Sequence, residues 1–267
     1  MTRSSTKFAR RLAAAGLALV ALGMAACSSG GGSESSDPVA QVVSDAASKT
    51  GSSSAHVVMD MTIRSSSLPG QVKITTSGDV GRNGRQAELS MQLESGEQSR
   101  QVQVRLVGDT VYLRQPGTEQ WQRFAASAIS GQQGFGASNP ISGLDYLRGV
   151  SNSVTRKGPE TVRGVDTTRY HAEIDVRKSA ERLSGEQRRR VEAVSQLGVE
   201  ELPTDVWIDD EGRIRREFFT MRMKNGEQII TVGMTMELYD FGLPVRVQAP
   251  PDDQVVPGDP SSLGAVG

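Results

Sequence analysis

The feature that most constrains the fold of this chain is a repeated alternation of apolar and polar residues. Successive side chains of a β-strand point to opposite faces of a sheet, so this period of two predicts half-buried strands. Turn residues such as Asn83 with Gly84, and Ser95 with Gly96, separate the runs. Two antiparallel meanders are expected. The apolar positions of the first are Val57, Met59, Met61, Ile63, Val72, Ile74, Ala87, Leu89, Met91, Leu93, Val102, Val104 and Leu106. Those of the second are Val206, Ile208, Phe219, Met221, Met223, Ile230, Val232, Met234, Met236 and Leu238.

Helical patterns precede and interrupt these meanders. Asp37 and Pro38 offer an N-cap and a first-turn proline for a helix of about 12 residues that ends near Gly51. Residues 142–147 predict a short helix. With the strands, these helices predict an α+β fold in one domain over residues 37–256, followed by a C-terminal tail at 257–267.

The segment between the two meanders mixes strand and helix patterns. Strands are expected at residues 162–165 and 170–176. A longer helix then follows the capping-box pair Ser184 and Gln187, and Gly198 is placed to end it.

The first 26 residues have the layout of a secretory signal peptide. Four basic residues and no acidic ones precede an apolar run of 15 residues that ends in Ala25 and Ala26. As a helix, 15 residues span about 23 Å, which is short of the ~30 Å hydrocarbon core of a bilayer. A cleaved signal peptide at 1–26 is therefore favoured over a permanent membrane helix.

Residues 24–27 resemble the bacterial lipobox, in which the cysteine receives a diacylglyceryl group and becomes the new amino terminus. Met24 replaces the usual leucine, and Cys27 is the only cysteine of the chain. The resemblance implies S-diacylglycerol and N-palmitoyl attachment at Cys27, hence an extracytoplasmic protein anchored in the plasma membrane. Residues 27–36 contain Ser, Gly and one acidic residue after the cysteine, and are expected to be a flexible tether.

Composition excludes one class of partner. Beyond residue 26 the chain holds 31 acidic and 26 basic residues, a net charge of −5, and aromatic residues make up only 4% of the whole. Nucleic-acid binding needs a basic surface and stacking platforms, so no nucleic-acid partner is expected.

The residues needed for catalysis are scarce. Only His56 and His171 are available, each on a strand, and the single cysteine is assigned to the lipid. The acidic run that begins at Asp209 lacks a glutamate at its twelfth position, so a hairpin turn is favoured over a calcium loop. We expect no metal, no cofactor and no enzymatic activity. The arginine run 188–190 is interpreted as a solvated helix face, with binding of anionic lipid headgroups as the alternative.

Methionine is used in an unusual way. Seven of the nine methionines fall on the apolar phase of predicted strands: Met59, Met61, Met91, Met221, Met223, Met234 and Met236. Unbranched, polarizable side chains adapt to irregular apolar shapes, which suits a cavity for flexible acyl chains. Methionine as filler of a core poor in aromatic residues explains the pattern equally well.

The order of these parts, and four segments, resemble the LppX/LprG (LppX_LprAFG) family of actinobacterial lipoproteins and, more distantly, the LolA/LolB carriers. The segments are VGDTVYLRQPG at 107–117, GVDTTRYHAEID at 164–175, LPTDVWIDDEGRIRRE at 202–217 and LYDFGLPVRVQAPP at 238–251. The resemblance implies a sheet curled into a half-barrel, helices that cover its concave face, and an apolar pocket that holds lipid or lipoglycan acyl chains. It implies no catalytic residues.

Two functional hypotheses follow. The first is a membrane-anchored carrier that shields acyl chains during lipid transport in the cell envelope. The second is a non-catalytic protein-binding module with a filled core that recruits a partner such as an envelope transporter or a sensor.

Overall fold

The computed structural model describes residues 37–67, 70–130, 140–149, 154–225 and 227–259. The predicted signal peptide (1–26), Cys27 and the tether (27–36) lie outside the described residues, as does most of the predicted tail.

In the described part, twelve strands form one sheet with the order β12-β6-β5-β4-β3-β2-β1-β11-β10-β9-β8-β7. The strands are β1 Ala55–Ser65, β2 Gln71–Val80, β3 Gln86–Ser95, β4 Gln98–Val107, β5 Thr110–Arg114, β6 Trp121–Ala125, β7 Val154–Val162, β8 Val165–Asp175, β9 Glu201–Asp209, β10 Ile214–Asn225, β11 Gln228–Tyr239 and β12 Val255–Pro257. Strands β7 and β12 are the two edges, so the sheet is open.

The sheet consists of two antiparallel meanders, as predicted, but the second also contains the strands expected between the meanders. Strands β1 to β6 form one and β7 to β11 the other, and β1 pairs with β11 to join them. Tight turns link the strands: Gly96 (φ 58°) and Gly108 (φ 63°) have the left-handed backbone that glycine adopts without strain. The exception to antiparallel pairing is β12, which runs parallel to β6.

Within the described ranges the helices are few and short. They are α1 Pro38–Gly51, α2 Ala126–Ser130, α3 Val176–Glu181 and α4 Gly185–Gln196, with 3₁₀ helices at Arg82–Gly84, Pro140–Gly149 and Asp252–Gln254. We call Pro140–Gly149 the central 3₁₀ helix. The predicted start of α1 is confirmed, because the Asp37 side chain accepts a hydrogen bond from the Val39 backbone N–H at 2.9 Å.

Helix α1 packs into the core and contacts both the central 3₁₀ helix and the second meander. Its buried side is made of small residues, Ala40, Val43, Ala46 and Ala47. Thr50 at its last turn is fully buried, and its hydroxyl accepts a hydrogen bond from the Ile214 backbone N–H of β10 at 2.9 Å. This bond fixes the end of the helix to the start of that strand.

Some local predictions are wrong. Residues 162–165, expected as a strand, contain the turn between β7 and β8. Val176, expected in a strand, begins α3 because the Asp175 side chain caps that helix by accepting from the Lys178 backbone N–H at 3.0 Å. Ser184 is the N-cap of α4, but its side chain makes no capping hydrogen bond. Strands β5, β6 and β12 were not predicted.

Candidate functional site

All seven methionines of the predicted cavity lie on one face of the sheet, which we call the methionine face. Met59 is registered opposite Met236 and Met61 opposite Met234, across the β1–β11 junction. On the next strands, Met221 is opposite Val232, Met223 opposite Ile230, and Met91 opposite Thr76. Since directly opposed residues of paired strands point to the same side, the register places these seven together.

Burial divides this face into two regions. Met59, Met221, Met234 and Met236 are at most 5% exposed and belong to the packed core. Met61, Met91 and Met223 are only half-buried. A contiguous group of half-buried apolar side chains on β1 to β4, which we call the open patch, consists of Met61, Ile63, Val72, Ile74, Met91, Leu93 and Val102. The buried methionines therefore lie towards one end of the paired strands, and the half-buried positions, which include Met223 of β10 and Ile230 of β11, lie towards the other end.

The central 3₁₀ helix meets this face through Tyr146. The Tyr146 hydroxyl donates a hydrogen bond to Oε1 of Glu217 on β10 (2.5 Å) and lies 3.4 Å from the Thr204 hydroxyl on β9. The Tyr146 ring stands edge-on to Phe219, with 6.4 Å between ring centroids. Ser179 of α3 donates to the Tyr146 backbone carbonyl at 2.7 Å. One tyrosine thus connects two strands, the 3₁₀ helix and α3.

Glu217 is a carboxyl in an apolar setting. It is fully buried and occupies an inward position of β10, opposite Met236 of β11 and Val206 of β9. Burial raises its pKa to about 7, and the hydrogen bond from Tyr146 opposes part of that shift. Burial also raises the pKa of the Tyr146 hydroxyl, and the neighbouring Glu217 adds to the effect. Neither residue was singled out from the sequence, although Glu217 interrupts the apolar phase of Phe219, Met221 and Met223.

The two histidines lie on the opposite face and on separate strands. His56 Nδ1 is 2.6 Å from Asp79 Oδ1. His171 is bracketed by Glu173 and Asp205, each at 3.0 Å. The hydrogen bond to Glu173, with the further contact to Asp205, raises the pKa of His171. Both rings are paired with carboxylates on the outer surface, which accords with structural roles.

The acidic run at Asp209 forms the turn between β9 and β10, as predicted. The Asp209 side chain is buried and accepts hydrogen bonds from Arg213 (3.1 Å) and Arg215 (2.6 Å). Two guanidinium groups thus occupy the carboxylate that a cation would need. Within the described ranges, no three His, Cys, Asp or Glu side chains are grouped closely enough to hold a metal ion.

Arg188 and Arg189 of the arginine run are exposed on α4. Arg188 pairs with Glu192 one turn later at 2.7 Å. The side chain of Arg190 lies outside the described part. Pairing within the helix is typical of a solvated face.

A cavity of about 600 Å³ lies elsewhere, where loops meet the ends of strands. Its lining is Ser54, Gly81, Arg82, Arg85, Gln86, Gly108, Gly242, Leu243, Pro244 and Val245. No methionine contributes to it, and two arginines and several backbone polar groups make it a poor environment for an acyl chain. It is distinct from the methionine face.

The described residues thus form an open sheet with one apolar, methionine-rich face and a small set of helices. The family model of the LppX_LprAFG lipoproteins matches residues 37–247. The chain therefore belongs to the LppX_LprAFG lipoprotein family, which confirms the resemblance predicted from the sequence.

Comparison with solved structures finds similar folds at low sequence identity. Lipoprotein LppX of Mycobacterium tuberculosis is 21% identical over 80% of this chain and 100% of its own, with a TM-score of 0.49. LprF of Mycobacterium bovis is 17% identical over 80% of this chain and 98% of its own, with a TM-score of 0.47. A LolA superfamily protein of Nitrosomonas europaea is 10% identical over 77% and 93%, with a TM-score of 0.32. A search of curated protein sequences finds no significant match.

Proposed function

We propose that this protein is a non-catalytic envelope lipoprotein that binds the acyl chains of a lipid or lipoglycan against its methionine face. The observation that carries the proposal is the open patch. Its seven apolar side chains, Met61 and Met91 among them, remain half-buried beside the buried Met59, Met234 and Met236. A contiguous apolar area of this kind on a monomer marks a binding surface.

The chemistry of the face suits a flexible ligand. Methionine side chains change rotamer at low cost, so a surface made of them adapts to chains of different length and branching. Burying each methylene of an acyl chain contributes about 0.8 kcal/mol. In the proposed bound state, the sheet curls so that α1 and the central 3₁₀ helix cover its concave side, and the acyl chains lie between the helices and the sheet.

Membrane attachment is part of the proposal. The signal peptide at 1–26 directs export, Cys27 carries the acyl groups, and the tether holds the domain near the extracytoplasmic face of the plasma membrane. Among the described residues, no helix is long and apolar enough to cross a membrane. Carriage of lipid through the envelope, with handover to an envelope transporter, is the role we propose for the anchored domain.

One observation favours the alternative, a protein-binding module with a filled core. Four of the seven methionines are packed in the core, where they fill volume as any apolar residue does. Under this alternative the open patch contacts a protein partner and no lipid.

A pair of substitutions separates the two functions. Met61→Trp enlarges a half-buried side chain of the open patch, whereas Met234→Trp enlarges its cross-strand partner in the core. If lipid occupies the patch, Met61→Trp displaces lipid with little loss of stability, and Met234→Trp destabilises the fold by roughly 1 to 3 kcal/mol. Thr62→Trp, on the opposite face of the same strand, is the matched control and leaves bound lipid unchanged.

The measurement is mass spectrometry of lipid extracted from the purified full chain, together with a thermal melt of each variant. Lipid binding would be contradicted if wild-type protein carries no lipid from any source and Met61→Trp destabilises the fold as much as Met234→Trp. That result would favour the filled-core module.

A further inference from the structure

Two buried side-chain oxygen atoms in the described part of the chain have no hydrogen-bond partner: Thr76 Oγ1 and Glu217 Oε2. Thr76 is 1% exposed and Glu217 is fully buried. An interior polar atom without a partner is costly, and native proteins rarely leave one unmatched. Each of these atoms therefore needs a hydrogen-bond partner that the described part of the protein does not supply.

The two atoms belong to the same row of the methionine face. Thr76 of β2 is opposite Met59 of β1, Met59 is opposite Met236 of β11, and Met236 is opposite Glu217 of β10. Three strand spacings separate the ends, about 14 Å. We call Thr76, Met59, Met236 and Glu217 the polar-ended row. It presents two methionines with an unsatisfied oxygen at each end.

The row continues from the core into the open patch. Beyond Thr76, its next members are Met91 on β3 and Val102 on β4, which are both half-buried. Because Thr76, Met59, Met236 and Glu217 are all buried, a chain that enters at the open patch must displace the side chains packed on the row to reach Thr76 and then Glu217. Apolar contacts with the methionines hold the segment between them.

The donor and acceptor properties of the two ends select the group that they bind. Glu217 Oε1 is already bonded to Tyr146, which leaves Oε2 as the position for a ligand. With a pKa of about 7, this carboxyl is present both protonated and ionised near neutral pH. A ligand hydroxyl can accept a hydrogen bond from protonated Glu217 and donate one to ionised Glu217. A carbonyl can only accept, and an ammonium group can only donate. Thr76 offers a hydroxyl that also donates and accepts.

We propose that the polar-ended row binds the hydroxyl groups of a hydroxylated lipid, one at Glu217 Oε2 and one at Thr76 Oγ1. This inference rests on the proposed lipid binding and names the chemical class of its ligand. A lipid without such groups leaves both oxygens unpaired, so the row selects hydroxylated chains over plain ones.

The test compares methyl ricinoleate with methyl oleate, which differ by one hydroxyl in mid-chain. Each ester competes with a pyrene-labelled fatty acyl ester bound to the full chain purified in detergent, and fluorescence reports displacement. Wild-type protein is expected to prefer the hydroxylated ester by about tenfold. The double variant Thr76→Val, Glu217→Met keeps the shape of both side chains but removes their hydrogen bonding, and its preference is expected to fall to about one.

Two further variants control the comparison. Glu217→Gln retains a hydrogen-bond acceptor and adds an amide N–H donor, so this variant should keep the preference for methyl ricinoleate. Thr220→Val makes the same change as Thr76→Val on the exposed, opposite face of β10 and should have no effect.

Equal displacement of the label by the two esters from wild-type protein overturns the inference, whether or not the double variant folds, while lipid binding itself stands. That is the result expected if only water occupies these positions. A preference that persists in the folded double variant also overturns it. Failure of both esters to displace the label, or of the label to bind, removes the proposed function together with the inference.

Discussion

Glu217→Gln provides a quantitative test of the interior of this fold. The carboxyl is neutral when folded up to a pKa of about 7, against an ordinary value of 4.5. Because the folded-state pKa is raised, the unfolded chain binds fewer protons between these two values, and stability falls as pH rises. At 1.36 kcal/mol per pH unit, ionisation of Glu217 costs wild-type protein about 3 kcal/mol of unfolding free energy by about pH 8. Glutamine cannot ionise, so the variant escapes this loss.

Other titrating groups change the free energy of unfolding in different pH ranges. The raised pKa of His171 stabilises the fold below pH 6.5, and this contribution is lost as pH rises through the folded-state pKa. Burial raises the pKa of Asp205 and Asp209, but hydrogen bonds outweigh it and lower both values. Asp205 accepts from Arg169 and His171, and Asp209 from Arg213 and Arg215. Their stabilisation is therefore lost only in acid. Between about pH 5 and pH 6.5, Glu217 accounts for the expected slope.

Urea unfolding at a series of pH values measures the effect, with the fluorescence of the buried Trp121 and Trp207 as the signal. The stability difference between Glu217→Gln and wild type should grow in favour of the variant as pH rises. Glu88→Gln, which changes a carboxyl paired with Arg105 on the outer face, is the control. Parallel pH profiles for Glu217→Gln and wild type would refute the conclusion that folding keeps this carboxyl neutral.

Three further outcomes are expected. Cys27→Ser should abolish partition of the protein into detergent, and recovery of the variant with the wild-type acyl mass would exclude acylation at that residue. Replacing His56 and His171 together should leave lipid affinity within about a factor of a few, as measured by label displacement, because both rings lie on the face opposite the methionines. Asp209→Asn should lower the unfolding free energy by about 3 kcal/mol in urea, since it removes the carboxylate shared by two arginines; a change below about 1 kcal/mol would contradict that role.

The long strands were predictable because their apolar positions repeat with a period of two over many residues. Strand β6 lacks that signal: its large apolar residues, Trp121 and Phe124, are three positions apart and therefore point to opposite faces. Strand β12 has only three residues and gains its place through parallel pairing with β6, a contact between distant parts of the chain. Short strands that depend on their neighbours leave little trace in sequence.

The shared face of the methionines also followed from the period of two, once the hairpin registers were fixed. The division of this face into buried and half-buried positions could not be predicted from that period, because burial depends on where the helices pack. The contact between Tyr146 and Glu217 joins residues 71 positions apart and forms only when the central 3₁₀ helix packs on β10. An in-phase glutamate among methionines was the one available signal for that site.

The distribution of charge suggests how the sheet keeps its shape while its inner face adapts to a ligand. On the outer face of the second meander, Glu237 of β11 pairs with Arg216 of β10 and Arg163 of the β7–β8 turn. Arg169 of β8 likewise pairs with Asp205 of β9. These pairs connect strands whose inner side holds three of the four buried methionines, Met221, Met234 and Met236. Under the proposed function, a ligand at the open patch displaces inner side chains while backbone ladders and outer ion pairs, which include Arg105 with Glu88 on the first meander, hold the strands in register.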